Sequence, residues 1–598
     1  MSFMLKYQSG IVLIAKFWLL VGATFLLWFF VTSELKLSTF FRLPKVQLFH
    51  FSCLVALAYL VWFNWRLQLL NLSSLIANFR LIRSITQNQR TLIIVLIGFA
   101  LFNLAYLMHY WSTSPWLFND SYDYLSLYPF RTIGYTGIIR GLAEIYESPR
   151  VIVVFQLLLT LVVSFHLSLA VGLILENKLS AVLFGYVLFS SWPWFFHSYQ
   201  IGTDQIFFAL LAWHFAFALD ALRSLNKKAL FMMALTTAVL ISIRPAGIFL
   251  LGTLPFFWVL FSWERRRVAL FYIVPLLMLL SAVVLFNRNY LGFHGFSSFA
   301  GASFSGSTLL LLDEDTKVSD TELKAEILPI ARKYQTEFQN TDGLINRYKF
   351  LRYYASPLSN DIINKTAVYL QSHEHEPWSS PLSKFFSGKS NLNKIYDRIG
   401  EIAVPKAVWF SAFNNWEEVN RVLSKLAWEV HLGNWRSWLS FSILKMYGAW
   451  QEVVPFFSMS RNFGSEKFID PSAEKNNYIS SRNSQWGKSE SSKLKREVYD
   501  WFAAIPYALA FIFQLPLLLA IIVVYILIKG GISLVRFNPV SPRKASIIYA
   551  SLCLVLYHIE LSIANVPLTR FLIAGTPFAL FLIIATLLRL YSRMKQIS

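Results

Sequence analysis

Outside residues 289–501 the chain has only ten acidic side chains, and two of them, Asp120 and Asp123, stand three apart in Asn119-Asp-Ser-Tyr-Asp-Tyr124. A third, Asp204, follows in Gly202-Thr-Asp204. Three guanidiniums occupy similar places: Arg131 in Arg131-Thr-Ile-Gly-Tyr135, Arg244 in Ile243-Arg-Pro245 and Arg570 in Pro567-Leu-Thr-Arg-Phe571. Each lies at or near the end of an apolar run, where a charge is costly unless it is paired or put to use. A carboxylate so placed can take a proton from a reacting hydroxyl or amine, and a guanidinium can grip a phosphate through parallel N–H bonds. On a helix, Asp120 and Asp123 would be one turn apart, close enough for one to orient the other.

What must position these groups follows from composition. Of 598 residues, 56% are apolar and only 15% are charged, with a mean hydropathy of +0.49. Soluble domains carry roughly 25% charged residues, so the expectation is an all-α polytopic membrane protein with about twelve transmembrane helices. A span needs roughly 20 apolar residues. Scanning on that length gives candidates at 17–33, 48–65, 91–111, 151–175, 179–197, 204–222, 228–243, 245–263, 268–287, 502–528, 545–564 and 571–588. The first lacks a small-residue cleavage site and is followed by further spans, so it is expected to remain as an anchor. The seventh and eighth form one apolar run broken at Arg244-Pro245, read as a tight hairpin. The two cysteines, Cys53 and Cys553, both lie in apolar runs and offer neither a disulfide framework nor a zinc site.

The net charge of +21 does not point to nucleic acid. Residues 289–501 hold 23 of the 33 acids and 25 of the 54 basic residues, so they are nearly neutral. The excess belongs to the apolar part. With the amino terminus in the cytosol, twenty basic residues fall on the cytosolic side and eight in the short connections opposite. The positive-inside rule then predicts that both termini are cytosolic, and that residues 112–150, 198–203 and 289–501 are external. Asp120, Asp123, Asp204, Arg131, Arg244 and Arg570 thereby share the external side. The stretch 289–501 is long enough for a domain. Its Gly- and Ser-rich entry at 292–307 reads as loop, 419–450 has apolar residues at helical spacing, and 458–492 is polar and aperiodic. A mostly helical external domain is expected.

An external Asp-x-x-x-Tyr (Asp120, Tyr124) followed by Arg-x-x-Gly-Tyr (Arg131, Gly134, Tyr135) resembles the first external loop of the GT-C class glycosyltransferases, which include the protein O-mannosyltransferases and the bacterial lipid A aminoarabinose transferases. Thr203-Asp204 opening a span, Arg244-Pro245 ending one and Arg570-Phe571 opening the last match in order and sidedness. Many relatives have two adjacent acids where this chain has Asp120-Ser121, its second acid being Asp123, and often Pro where it has Thr136. The resemblance implies a two-span extension at 1–90, a seven-span catalytic module at 91–288 with the loop 112–150, the external domain at 289–501, and a three-span bundle at 502–598.

It also implies a chemistry. Such enzymes pass a sugar from a polyprenyl-phosphate or pyrophosphate carrier to a glycan, lipid or protein acceptor on the external face. A lipid phosphate leaves readily without full protonation, so one base suffices, where a glycosidase needs two carboxyl groups. Asp120 is expected to be that base, with Asp123 orienting it or standing in for it, and Asp204 approaching from another span toward acceptor or metal. Arg131, Arg244 and Arg570 are expected on the phosphate, and Tyr124 and Tyr135 on substrate. Direct displacement would invert the anomeric centre. No resident cofactor is singled out, and use of a divalent metal is left open. The expected setting is a bacterial inner membrane; the partners are lipid-linked sugar, acceptor and membrane lipid, with no nucleic acid. The main rivals are an oligosaccharide ligase or polymerase, and a twelve-span transporter, which a large external loop after the ninth span disfavours.

Plain structural roles compete at each position. An Asp at a loop-to-helix junction is commonly an N-cap, which fits Asp120 and Asp204. Arg131, Arg140 and Arg150 could meet lipid headgroups. His373-Glu-His-Glu376 has metal-ligand residues but sits in a polar loop. His558 and Glu560, deep in the eleventh span, are expected to pair with polar neighbours, and His109, His166 and His214 to be hydrogen-bonded packing residues.

Overall fold

The computed structural model describes residues 132–146, 150–190, 201–260, 266–291, 308–372, 416–452, 523–530, 540–564 and 573–597, with a few isolated positions including Tyr124, Ser198 and Gly295. Every regular element among them is helical, so the described fold is all-α. In chain order these are α1 (Ile133–Ile145), α2 (Arg150–Ile174), α3 (Lys178–Ser190), α4 (Thr203–Ser224), α5 (Lys227–Ile243), a 3-10 helix (Pro245–Thr253), α6 (Leu254–Leu260) and α7 (Arg266–Phe286). Then come α8 (Thr321–Gln339), α9 (Leu344–Ser372), α10 (Trp416–Gly433), α11 (Trp435–Glu452), α12 (Pro542–Ala564) and α13 (Thr576–Ile597).

Four described helices are long and apolar enough to cross a membrane: Arg150–Ile174, Thr203–Ser224, Arg267–Asn289 and Pro542–Ser562. They coincide with the spans expected at 151–175, 204–222, 268–287 and 545–564. The spans expected at 179–197, 228–243, 245–263 and 571–588 meet α3, α5, the 3-10 helix with α6, and α13, while those at 17–33, 48–65, 91–111 and 502–528 fall wholly or mostly outside the described residues. The segment after Arg244 is short for a reason. Pro245 stands at its first position, and a 3-10 helix rises about 2.0 Å per residue, so this helix and α6 together cover about 28 Å.

One hydrophobic core joins α1–α7, α12 and α13. Its centre is α4, whose span window is 83% buried, whereas that of α7 is 22% buried with Leu270, Val274, Leu277 and Met278 facing outward. Hydropathy alone ranks them the other way, because a peripheral helix must be apolar where it meets lipid and a central one can carry paired polar groups. Several do. His214 accepts from Tyr549 Oη on α12 at Nε2 (2.5 Å) and donates from Nδ1 to Thr237 on α5 (2.9 Å), because the Thr237 hydroxyl itself donates to the Met233 carbonyl. His166 on α2 meets Asp220 on α4 (2.9 Å) and accepts from Trp213 Nε1 (3.1 Å). Both histidines act as cross-helix ties.

A second core is formed by α8, α9, α10 and the turn at Leu309–Leu312, centred on Leu323, Ile327, Leu351, Ile362, Trp416, Leu423 and Val430. Asp320 caps α8 by accepting from Leu323 N (2.9 Å), and Gln335 Nε2 donates to the carbonyls of Leu310 and Leu312 (3.0 and 2.8 Å). His431 is buried against Trp438 and bonded to the Thr308 hydroxyl (2.8 Å). Burial, and then the Lys445 ammonium, push its imidazole from 6.5 to about 4. The unfolded chain therefore binds more protons than the folded one between these values, so the stability His431 contributes is complete above about pH 6.5 and is lost as pH falls toward 4. Thermal unfolding of the full chain in detergent should show the Tm of this unit falling between pH 7 and pH 5. His431→Gln, which keeps an acceptor for Thr308, should flatten that slope; an unchanged slope assigns it elsewhere.

Candidate active site

Arg244 is fixed by backbone geometry before its side chain is considered. It caps α5 in an extended conformation (φ −148°, ψ 117°), donating its N–H to the Leu240 carbonyl (2.8 Å) and accepting from Gly247 N (3.0 Å) as Pro245 starts the 3-10 helix. Its Nη1 is bonded to Asp204 Oδ1, and its guanidinium lies over the Phe207 ring, 5.5 Å from the centroid. Asp204 and Phe207 are three apart on α4 and so share a face. Asp204 does not cap α4. Gly202 holds the cap position, Asp204 sits in the first turn, where the helix dipole favours an anion, and its carboxylate is committed to Arg244. Their side chains are 13% and 19% exposed, so the pair is desolvated enough that losing either partner leaves a costly charge.

The two aromatic positions of the loop motifs are drawn to the same helix end. Tyr124 donates to Thr203 Oγ1 (3.4 Å), the residue before Asp204, and packs edge to face on Tyr135 with 4.8 Å between centroids. Tyr135 is fully buried and donates to Gln156 Oε1 on α2 (3.4 Å), whose Nε2 donates to the Ser198 carbonyl (3.0 Å). Burial pushes the Tyr135 phenol well above its usual 10.0, with Tyr124 and Asp204 adding to the rise, so it remains a neutral donor. Tyr135 thus positions Tyr124 and is not itself open to a substrate.

α1 reaches this place by two devices. The Thr132 hydroxyl, just before the helix, donates to the Ile243 carbonyl (2.5 Å), beside Arg244. Gly134 lies so close to Ser242 that an added Cβ would stand 2.5 Å from its Oγ and 2.7 Å from its backbone carbonyl carbon and oxygen. Only hydrogen fits there. Gly134→Ala should move α1 off α5, break the Tyr124–Thr203 contact and lower the Tm of the full chain, with a cost of about 1–3 kcal/mol for overpacking. An unaltered Tm would show that α1 yields without loss.

The other wall comes from α12. Tyr557 packs on Phe207 and Phe249 (6.4 and 5.1 Å between centroids) and, like Tyr124, lies within electrostatic reach of Arg244. Glu560 also feels Arg244, and its Oε2 is inaccessible to solvent and has no hydrogen-bond partner among the described residues. Two carboxylates, one guanidinium and two phenols therefore converge from α4, α5, α12 and the segment before α1. Such a group can bind an anion at Arg244 and a hydroxyl at a carboxylate.

Of the residues expected from sequence, Asp204, Arg244, Tyr124 and Tyr135 come together here. Asp120, Asp123, Arg131 and Arg570 lie outside the described residues, as does His373-Glu-His-Glu376. Among the described residues no three His, Cys, Asp or Glu side chains gather as metal ligands. Sequence reasoning did not single out Gln156, Gln205 and Thr160, although Gln205 Nε2 donates to Thr160 Oγ1 (2.7 Å) and links α4 to α2 under the site. Their signal was present: a lone amide in an apolar span is as costly as it is rare. Comparison with protein-family models, with curated proteins and with solved structures finds no match to this chain.

Proposed function

We propose that this chain is a GT-C-type glycosyltransferase that moves a sugar from a polyprenyl-phosphate carrier to an acceptor hydroxyl or amine on the external face of the membrane. In this reading it crosses the bilayer twelve times, keeps both termini in the cytosol of a bacterial cell and holds 289–501 outside. The observation that carries the proposal is the meeting of three segments distant in sequence. Tyr124, which closes the acidic motif, Thr203-Asp204 and Arg244 touch one another at one end of a helical bundle. The covalent chain alone keeps Asp120 within about 14 Å of Tyr124.

In the proposed reaction the acceptor oxygen or nitrogen attacks the anomeric carbon from the face opposite the phosphate. The bond from that carbon to the phosphate oxygen breaks, and its electron pair leaves with the lipid phosphate. Asp120 takes the acceptor's proton, and Arg244, oriented by Asp204 and Phe207, neutralises the charge that develops on the phosphate, with Arg131 and Arg570 as further cationic groups. Preorganisation explains the ion pair. A guanidinium has five N–H donors, and Asp204 takes one of them at Nη1 to set its plane. The decisive experiment incubates the purified full chain in nanodiscs with radiolabelled sugars on polyprenyl phosphate and with envelope acceptors. Transfer of label with inversion supports the proposal; with a panel of donors and acceptors, absence of any transfer or hydrolysis rejects it.

A further inference from the structure

Helix α11 belongs to the segment expected to lie outside the membrane, yet its outward side carries an apolar row, flanked by exposed Arg436, Ser437 and Ser440. Trp435, Leu439, Ile443 and Tyr447 recur every four residues, a single row along the helix, and Trp428 and Leu432 continue it onto α10. All six are 42–72% exposed. Among the described side chains of 308–372 and 416–452 they make up six of the eight exposed large apolar ones, the others being Leu344 and Val368. The outward faces of α8 and α9 instead carry residues such as Arg332, Lys333, Glu337 and Lys365.

The position of this edge identifies what covers it. Phe441 and Leu444 of α11 pack on the second core, and α11 also packs against α12, one of the four helices able to cross a membrane. A helix lying against a span, with an exposed apolar row on its remaining side, is placed to meet lipid along that row. That face resembles the outward face of α7, where Leu270, Val274, Leu277 and Met278 are exposed. It also has interfacial chemistry: tryptophan and tyrosine mark its ends, Arg436 lies over the Trp435 ring (5.5 Å), and Lys425 is exposed one turn before Trp428.

We infer that the row Trp428, Leu432, Trp435, Leu439, Ile443 and Tyr447 is immersed in one leaflet of the bilayer, so that α11 is an interfacial helix seating the second core on the membrane beside α12. The inference rests on reading α12 as a membrane span, and not on the proposed transfer reaction. A second copy of the chain would need a matching partner face, whereas lipid needs none.

The test uses the full chain in lipid nanodiscs, on a background with Cys53→Ser and Cys553→Ala, carrying an NBD fluorophore at single cysteines. The probes are Leu439→Cys and Ile443→Cys, with Met278→Cys on α7 as the lipid-facing reference and Glu337→Cys on α8 as the aqueous reference. Lipid carrying a doxyl group near the headgroup should quench positions 439 and 443 about threefold more than 337, and lipid carrying it deep in the acyl chain should quench 278, at the centre of its span. Quenching of 439 and 443 by aqueous iodide at the level of 337, with 278 still quenched by lipid, overturns the inference and leaves the membrane reading of the bundle standing. Protection from both quenchers also overturns it, in favour of a protein partner or a second copy. Failure at 278 rejects the membrane reading along with the inference. If the variants do not fold, hydroxyl-radical footprinting of the unaltered chain decides: Trp435 and Tyr447 should be protected in nanodiscs, and oxidation at the rate of fully exposed aromatics overturns the inference.

Discussion

If the proposed reaction holds, Asp120→Asn should lower sugar transfer by about a thousandfold while leaving membrane insertion and thermal stability unchanged, the size expected for losing a positioned base. Asparagine keeps the shape and the hydrogen-bonding oxygen of aspartate but cannot take the acceptor's proton, so the loss falls on kcat. Asp120 is the expected base from the resemblance of its loop motif, and Asp204, one of the two carboxylates at the described site, is already committed to Arg244. An acid held in an ion pair is a weak proton acceptor. Asp123→Asn separates the remaining alternatives, since an orienting carboxylate costs about tenfold where the base itself costs far more. The check is initial rates with radiolabelled polyprenyl-phosphate sugar, measured on protein with wild-type Tm. Full activity in Asp120→Asn removes that residue from the mechanism, and an equally large loss in Asp123→Asn moves the base there.

The second large effect is expected at the Arg244–Asp204 pair, where stability and donor binding are joined. Arg244→Ala strands a desolvated carboxylate at the first turn of α4 and should cost about 3 kcal/mol of stability, and it removes the cation expected on the phosphate. Asp204→Ala should cost nearly as much, and the double variant distinctly less than the sum, because the second change deletes the charge that the first had orphaned. Catalysis distinguishes a phosphate-binding arginine from a structural one. Arg244→Lys retains the charge and should keep part of the transfer activity, with a raised KM for the donor and little change in KM for the acceptor. A double-mutant cycle on Tm with these donor and acceptor KM values tests both parts. If Arg244→Lys, once folded, leaves the donor KM unaltered, the guanidinium serves the fold alone.

Much of this was legible in the linear chain, and for different reasons at different places. Hydropathy over 18 or more residues finds α2, α4, α7 and α12 because crossing hydrocarbon is a one-dimensional requirement on length and composition. It resolves less at the 3-10 helix after Arg244, where a faster rise lets fewer residues cover the same depth. The helical pattern at 419–450 anticipated helix there, with Val422, Leu423, Leu426 and Val430 on α10, but not the break at Asn434 that separates α11. Scarcity of charge drew attention to Asp204 and Arg244, since an unpaired charge beside lipid is too costly to be incidental.

The amino-acid sequence by itself therefore determined where the long apolar helices run, and which charged side chains needed a partner or a purpose. Tertiary structure alone decided who the partners are. That Asp204 pairs with Arg244 across 40 residues, that Tyr135 turns inward to Gln156 while Tyr124 meets Thr203, and that α11 packs against α12, all depend on how helices cross. Spacing along a helix fixes a side chain's direction about one axis, but not the angle and depth at which two axes meet; those follow from close packing, such as the contact of Gly134 with Ser242 that brings α1 onto α5.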